Sequence, residues 1–225
     1  MRIVISRRPV RFGLLAAAVA GSLCLGVAGC GGDGDEEAAD KAVAGTQLCG
    51  GDAVSAQASK ALKVITGSSR FEASAEEYTV KQAAADLVDA YPLPTVTEDA
   101  CRVYTPRGTP DFELRITWRL ADDAPTDDPA APKFTVLKMG EETLAAADMA
   151  YVRFACLSDK LGSSDDVHID IGVERSGMPT EPEGNVEALK DAYATVAHSF
   201  SLAMAKELGC EKNGGLPERP VLDPA

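Results

Sequence analysis

Apolar residues recur at two spacings along this chain, and each spacing predicts a different kind of element. Over residues 52–66 an apolar residue returns every three or four positions and a glycine follows, which predicts a helix. The same spacing after Thr79, a residue suited to capping, predicts a second helix that ends before Tyr91-Pro92. A long amphipathic pattern over 185–208, followed by Gly209, predicts a third helix.

Between the second and third of these helices the period changes to two, which is typical of strands. From Phe112 to Leu120 apolar and polar residues alternate strictly, so this segment is the clearest strand, with one buried and one solvent-facing side. Shorter alternations over 101–105, 152–156 and 167–173 predict further strands. Strands in the middle of the chain and helices towards its ends predict an α+β fold, an antiparallel sheet of about five strands covered by helices.

The N-terminal segment carries an export pattern. Four arginines precede an uncharged run from Phe12 to Val27, and small residues then lead to Cys30. The motif Val27-Ala28-Gly29-Cys30 resembles the bacterial lipobox, in which the cysteine thiol receives a diacylglyceryl group and the chain is cleaved just before it. The resemblance implies that residues 1–29 are a lipoprotein signal peptide. It also implies that Cys30 becomes the acylated first residue, anchored in the cell membrane on its extracytoplasmic side.

A permanent membrane anchor over residues 12–29 is the alternative interpretation. The uncharged run is only about as long as the shortest spanning helices, and it lies beside a basic N-terminus, so a signal peptide is favoured. Ser6-Arg7-Arg8 resembles the start of a twin-arginine export signal. Val10 and Arg11 stand where that signal prefers Phe and Leu, so the export route stays open.

Composition divides the rest of the chain into a tether, one domain and a tail. Residues 30–47 are acidic and glycine-rich with almost no large apolar side chain, which predicts a flexible tether, because such a segment buries too little to become ordered. Residues 211–225 carry three prolines and few apolar residues, which predicts a disordered tail. Residues 48–210 are long enough for a single α+β ectodomain with its own core.

Net charge excludes some classes of partner. The chain has 35 acidic and 22 basic residues, a net charge of −13, and removal of the predicted signal peptide takes away four arginines and no acids. Binding to nucleic acid or to anionic lipid requires basic patches. We therefore expect no nucleic-acid partner, and we expect contact with the membrane only through the lipid on Cys30.

Four cysteines remain for the ectodomain: Cys49, Cys101, Cys156 and Cys210. An even number outside the cell predicts two disulfides, and four cysteines allow three pairings. We favour Cys49 with Cys101 and Cys156 with Cys210, because each pair would join a helix end to a strand within its own half of the domain. A zinc site of four cysteines is the alternative, but no two of them form a CxxC pair, so we expect no metal.

Strong catalytic motifs are missing from the sequence: there is no G-x-S-x-G, S-x-x-K, H-E-x-x-H or Walker loop. We therefore expect a non-enzymatic protein without a cofactor. His168 and Asp170 would share the outward face of the strand over 167–173, where they could form an acid–base or metal pair, although exposed polar positions explain them equally well. His198 falls on the polar side of the last helix and is expected to be solvated.

An acidic segment, residues 122–128, raises a calcium hypothesis because hard cations bind several oxygen ligands. It lacks the glycine and the terminal glutamate of an EF-hand. Three nearby prolines favour an exposed connecting loop instead. The residues concerned are the carboxylates Asp122, Asp123, Asp127 and Asp128 and the prolines Pro125, Pro129 and Pro132.

The chain resembles the small secreted lipoproteins that are numerous in actinomycetes. The resemblance rests on the lipobox at Cys30, the acidic tether, the opening Leu48-Cys49-Gly50 and the closing Leu208-Gly209-Cys210 of an alanine-rich helix. It implies a location in the cell envelope. We predict a membrane-anchored extracytoplasmic lipoprotein that acts as a binding or interaction module for a wall component, an envelope protein or a small ligand. The alternative is an envelope hydrolase or metal-dependent enzyme that uses His168 and Asp170.

Overall fold

In a computed structural model of the chain, the described residues form eight strands, three α-helices and three short 3-10 helices. The predicted signal peptide, Cys30 and most of the tether lie outside the described residues, as do Asp122, Asp127 and Asp128 of the calcium hypothesis. The structure describes residues 41–93, 96–107, 109, 111–121, 123–125, 130–177 and 184–225.

The strands are β1 (Val43–Ala44), β2 (Arg70–Phe71), β3 (Thr97–Tyr104), β4 (Glu113–Ala121), β5 (Thr135–Leu137), β6 (Glu142–Ala145), β7 (Met149–Cys156) and β8 (Val167–Arg175). Strands β3 to β8 form one antiparallel sheet in the order β3-β4-β8-β7-β6-β5, and β1 pairs with β2 in a separate small sheet. The predicted α+β fold is confirmed, with six strands in the main sheet where about five were expected.

Alternation along the central strands gives the main sheet one apolar and one polar face. Because residues paired across strands direct their side chains to the same side, the buried set of β4 continues into β8 and β7. This apolar face contacts the helices. Its fully buried members include Leu114, Ile116, Trp118, Ile169, Ile171, Val152 and Phe154.

The described residues form three α-helices, α1 (Ala56–Thr66), α2 (Val80–Ala90) and α3 (Val186–Leu208), and α2 and α3 contact strands of the main sheet. Each begins with a side-chain cap, from Ser55, Thr79 and Asn185 in turn, that accepts a hydrogen bond from a backbone N–H of the first turn. Helix α3 lies against β7 and β8, and α1 and α2 pack on α3. The helix after Thr79 and the helix before Gly209 therefore lie where the sequence predicts them.

The polar side of α3 on which His198 lies is also buried, which corrects the expectation that His198 is solvated. His198 is 3% exposed, and its Nε2 donates to the carbonyl oxygen of Pro217 at 2.8 Å. The neighbouring Ser199 accepts from the backbone N–H of Ser55 and donates to the carbonyl of Ala53, at the start of α1. The prediction assumed one covered side of this helix, but α1 and the C-terminal segment cover another.

The C-terminal segment 211–225 packs on the domain and is not the disordered tail that its composition predicts. It starts with a tight turn, Glu211–Gly215, and Leu216 is buried. It then runs beside the edge strand β5, where the backbone N–H of Lys138 donates to the carbonyl of Asp223. Backbone hydrogen bonds to an edge strand order this segment although it holds few apolar side chains.

The last residues of the predicted tether also belong to the domain. Val43–Ala44 pairs with Arg70–Phe71, and Gly45–Gly50 forms a short 3-10 segment in which Leu48 is fully buried. The guanidinium of Arg70 donates to the carbonyl of Ala42. The described domain therefore includes residues on the N-terminal side of Leu48, because strand pairing orders them.

Both disulfides form, and the favoured pairing is confirmed. Cys49 and Cys101 join the 3-10 segment before α1 to β3, with their Cα atoms 5.8 Å apart. Cys156 and Cys210 join the end of β7 to the residue after the cap of α3, with their Cα atoms 4.8 Å apart. Each bond ties a segment beside a helix to a strand within its own half of the domain.

Candidate functional site

The polar face of the main sheet is left uncovered by the described helices, and we call it the open face. Its side chains are charged, hydroxylic or small on the central strands, and several are partly exposed. Strand pairing places them in rows that cross the sheet. The open face consists of Thr97, Asp99, Arg102, Glu113, Arg115, Thr117, Arg119, Glu142, Leu144, Tyr151, Arg153, His168, Asp170, Gly172 and Glu174.

At its centre, Asp170 lies between two arginines. Arg153 of β7 donates to its two carboxylate oxygens from Nε at 2.6 Å and from Nη2 at 3.0 Å. Arg119 of β4, directly opposite Asp170, donates from its Nη2 to the same carboxylate. The hydrogen bonds that Arg153 donates to Asp170 raise the pKa of Arg153 above its usual value. This largely buried carboxylate is therefore compensated by two fixed guanidinium groups.

A second ion-pair cluster joins β3 to β4. Asp99 accepts a hydrogen bond from Nε of Arg102 at 2.8 Å and another from Arg115. Arg102 also contacts Glu113, at 3.1 Å. Burial by itself would raise the pKa of Asp99, but the hydrogen bonds and charges of Arg115 and Arg102 outweigh burial and hold that pKa below its usual value. Asp99 is therefore a stable anion, and it orders both arginines.

His168 and Asp170 share the open face, as expected, but they do not form a pair. No hydrogen bond joins them in the described structure, where Nδ1 of His168 contacts Oε2 of Glu141 at 2.7 Å. The carboxylate of Asp170 is occupied by Arg119 and Arg153. The structure thus gives the two residues separate partners, and the enzymatic role suggested for them stays a prediction.

Tyr151 lies over Gly172, its partner across β7 and β8. A Cβ atom added to Gly172 would lie 3.0 Å from Cε1 of the tyrosine ring and 2.8 Å from Oγ1 of Thr117. The ring also makes an edge contact with Phe134, with centroids 6.1 Å apart. Glycine at this position therefore lets an aromatic ring lie close to the backbone of the sheet.

Two shallow grooves meet at these residues. The larger has a volume of about 360 Å³ and the smaller about 190 Å³, and Arg119, Tyr151 and Asp170 line both. We call the two together the Arg119 groove. The larger part is also lined by Thr97, Arg115, Thr117, Gly172 and Glu174, and the smaller by Glu142, Leu144 and Arg153.

A different pair of cavities, of about 370 and 550 Å³, lies where α2 approaches the end of α3, and Lys81 and Glu207 line both. Alanine, valine and leucine side chains make up half of the residues that line the smaller cavity, and the other half are charged. Nζ of Lys160 donates to the backbone carbonyl of Glu207 beside it. Of the predicted site residues only Cys49 lines these cavities, and its sulfur is held in a disulfide.

The sequence did not identify Arg153, Tyr151 and Gly172 as site residues. It also did not show the role of Arg119. The alternation in β4 places Arg119 on the polar face, but only strand register brings it to Asp170 and Tyr151. A lone glycine within the alternating strand over 167–173 was the available signal, since glycine in a strand often marks a close approach.

Within the described residues, no group of three or more histidine, cysteine, aspartate or glutamate side chains could hold a metal ion. No helix of the described ranges is long and apolar enough to cross a membrane. Comparison with protein-family models, with curated protein sequences and with solved structures finds no match. What the open face offers chemically is a fixed set of guanidinium and hydroxyl donors beside an aromatic ring.

Proposed function

We propose that this protein is a lipid-anchored extracytoplasmic binding module that presents the open face of its sheet to a partner in the cell envelope. The observation that supports this most is the Arg119 groove, which crosses the uncovered face of an otherwise well-covered sheet. Binding sites combine apolar walls with a few placed polar groups, and this groove combines Tyr151 and Leu144 with Arg119.

The open face suits recognition because its polar groups are fixed before any ligand arrives. Asp170 orients Arg119 and Arg153, and Asp99 orients Arg102 and Arg115. Side chains on strands and held by hydrogen bonds lose little freedom when they bind, which favours affinity. Catalysis would need a nucleophile or base placed for reaction, and Asp170 is already occupied by two guanidinium groups.

Anchoring outside the cell is supported by two independent features. The lipobox-like motif at Cys30 is one of them. The other is the two disulfides, which persist in oxidising compartments and are rare in the cytosol. A membrane anchor would hold the open face within the envelope, where a wall component or another envelope protein is its expected partner.

Photo-crosslinking in intact host cells tests this proposal. A photoreactive amino acid at Glu174, on the open face, is compared with one at Val64, an exposed position on α1. We expect a discrete adduct from position 174 and none from position 64. We also expect Cys30→Ala to move the protein out of the membrane fraction. Equal adducts from both positions, or none from position 174, would contradict the binding role of the open face.

A further inference from the structure

Arg119 has the largest unused hydrogen-bonding capacity of the arginines on the open face. Of its donor nitrogens only Nη2 has a partner in the described structure, the carboxylate of Asp170, and its side chain is 48% exposed. Arg153 uses Nε and Nη2 on the same carboxylate and is 18% exposed. Arg115 is shared between two carboxylates. An arginine fork has five N–H donors, so Arg119 keeps several of them for a ligand.

Two threonines line the same part of the groove as Arg119. Thr97 is directly opposite Arg119 on β3, and Thr117 is two residues before it on the same face of β4. Side chains directly opposite each other lie about 5 Å apart at Cβ. Neither hydroxyl has a hydrogen-bond partner among the described residues, and both line the groove. An anionic group on Arg119 would therefore have hydroxyl donors for its remaining lone pairs.

An apolar surface lies next to these donors. The ring of Tyr151 covers Gly172 at the floor of the groove, and Leu144 lines its smaller part. Burial and nearby carboxylates raise the pKa of Tyr151, so its hydroxyl is neutral at neutral pH. A ligand bound through Arg119 would thus place its body on an uncharged aromatic and aliphatic surface.

The charge around the groove distinguishes a carboxylate from a phosphate. Arginines and carboxylates line it in equal number: Arg115, Arg119 and Arg153 against Glu142, Asp170 and Glu174. A phosphate dianion would meet three carboxylates with no excess of positive charge, whereas a single carboxylate can take the unused N–H donors of Arg119.

We propose that the Arg119 groove binds molecules that carry one carboxylate beside an apolar body. This inference rests on the open face being the binding surface. The carboxylate could belong to a free small acid or to the C-terminus of a peptide, and the chemistry at Arg119 is the same.

Paired acid and amide probes test the proposal on the full-length chain purified from membranes in detergent. The probes are benzoate with benzamide, N-acetyl-alanyl-alanine with its C-terminal amide, and inorganic phosphate, titrated at pH 7 by ligand-observed saturation-transfer NMR. We expect at least one acid to bind about tenfold more tightly than its amide and than phosphate, because a charge-assisted hydrogen bond is lost in the amide. The acid that binds identifies the source of the carboxylate.

Two variants and a control assign the binding to this groove. Arg119→Gln should weaken the acid about tenfold, to the level of its amide. Thr117→Val, which keeps the side-chain shape, should weaken it severalfold without disturbing Asp170. Arg107→Gln is the control, because Arg107 is 82% exposed and outside the groove. Equal binding of acid and amide, tighter binding of phosphate, or full affinity in both variants would overturn the proposal.

Failure of the carboxylate proposal can be distinguished from failure of the proposed function by comparing the probe titrations with the crosslinking experiment. If no acid binds at millimolar concentration while position 174 still crosslinks in cells, the carboxylate assignment fails and the open face remains a binding surface. If no acid binds and position 174 does not crosslink, both proposals fail.

Discussion

Arg119 and Asp170 face each other directly across β4 and β8, and the carboxylate of Asp170 also accepts two hydrogen bonds from Arg153 of β7. One buried carboxylate thus ties together three neighbouring strands at the centre of the open face. Because β8 lies between β4 and β7, the arrangement depends on the register of both strand pairs. It sets the position of the guanidinium on which the proposed recognition depends.

Replacing Asp170 by asparagine should destabilise the domain by roughly 2 to 3 kcal/mol, because two guanidinium groups lose their shared counter-charge. Urea unfolding followed by the fluorescence of Trp118, the single tryptophan and fully buried, measures this change. Glu174→Gln is the matched control, since Glu174 is more exposed and its contact with Arg115 is longer, at 3.8 Å. A loss as small as the control's, about 0.5 kcal/mol, would show that Asp170 is not a structural centre.

The alternation of β4 was sufficient to predict the two faces of the sheet, because burial of Leu114, Ile116 and Trp118 follows from a period of two. The partners of Asp170 could not be predicted in the same way. They come from strands far apart in the chain, and a one-residue shift in either register would turn Arg119 or Arg153 to the other face.

Gly172→Ala should cost about 1 to 3 kcal/mol, because the new methyl group would displace the ring of Tyr151 and crowd Thr117. A double-mutant cycle with Tyr151→Ala checks the cause. In the background without the ring, the cost of Gly172→Ala should fall by at least 0.5 kcal/mol or so. Strictly additive effects would mean that the ring does not require glycine at this position.

Acidification should lower the stability of the folded domain through protonation of His198. Burial lowers the pKa of His198 despite the hydrogen bond to Pro217, so the unfolded chain binds a proton at a higher pH than the folded chain does. The stability contributed by the neutral ring is complete above the unfolded pKa, about 6.5, and is lost as the pH falls towards the folded pKa. The slope in this window is at most about 1.4 kcal/mol per pH unit.

Replacing His198 by glutamine should flatten that slope, because the amide can donate to Pro217 but does not titrate. His168→Gln is the control and should leave the slope contributed by His198 in place. Urea midpoints measured between pH 7.5 and pH 5 give the comparison, and an unchanged slope in the His198 variant would assign the pH dependence to other groups.

Protonation of Asp99 should also destabilise the folded domain on acidification, but in a lower pH range than that of His198. Its folded pKa lies below the unfolded value of 3.8, so its contribution is complete above pH 3.8 and is lost as the pH falls through the folded pKa. Asp99→Asn should therefore remove part of the acid sensitivity below pH 4 and leave the change between pH 7 and 5 intact. A variant that loses stability equally at pH 3 and pH 7 would contradict this assignment.

Deleting residues 211–225 should destabilise the domain, although their composition predicts a dispensable tail. The deletion removes the buried Leu216, the acceptor of His198 and the backbone cover of β5. Burial of a leucine side chain alone contributes roughly 1.5 to 3 kcal/mol. Deletion of 218–225, which keeps Leu216 and Pro217, is the graded control and should cost less. Thermal unfolding measures the effect. If both shortened chains unfolded at the same temperature as the intact chain, that result would contradict the packing of this segment on the domain.

The predictions for this segment and for His198 were wrong for a related reason. Few apolar residues after Cys210 indicate disorder only when the backbone has no partner, and the edge of β5 supplies one. Likewise, the polar side of α3 indicates solvent only when a single side of the helix is covered. The number of disulfides was predictable from an even set of cysteines, and the pairing was favoured because each pair would join a predicted helix end to a predicted strand in its own half of the domain.

Hydroxyl-radical footprinting of side chains, in native cell envelopes and in detergent, tests most directly whether the open face is the binding surface. Oxidation of Tyr151 on this face, and of Met149, which pairs with Glu174 across β7 and β8, is compared with that of Leu93, which is 61% exposed elsewhere in the domain. We expect Tyr151 and Met149 to be oxidised more slowly in envelopes than in detergent, while Leu93 is unchanged. Equal oxidation of Tyr151 in both preparations, or protection of Leu93 alone, would contradict it.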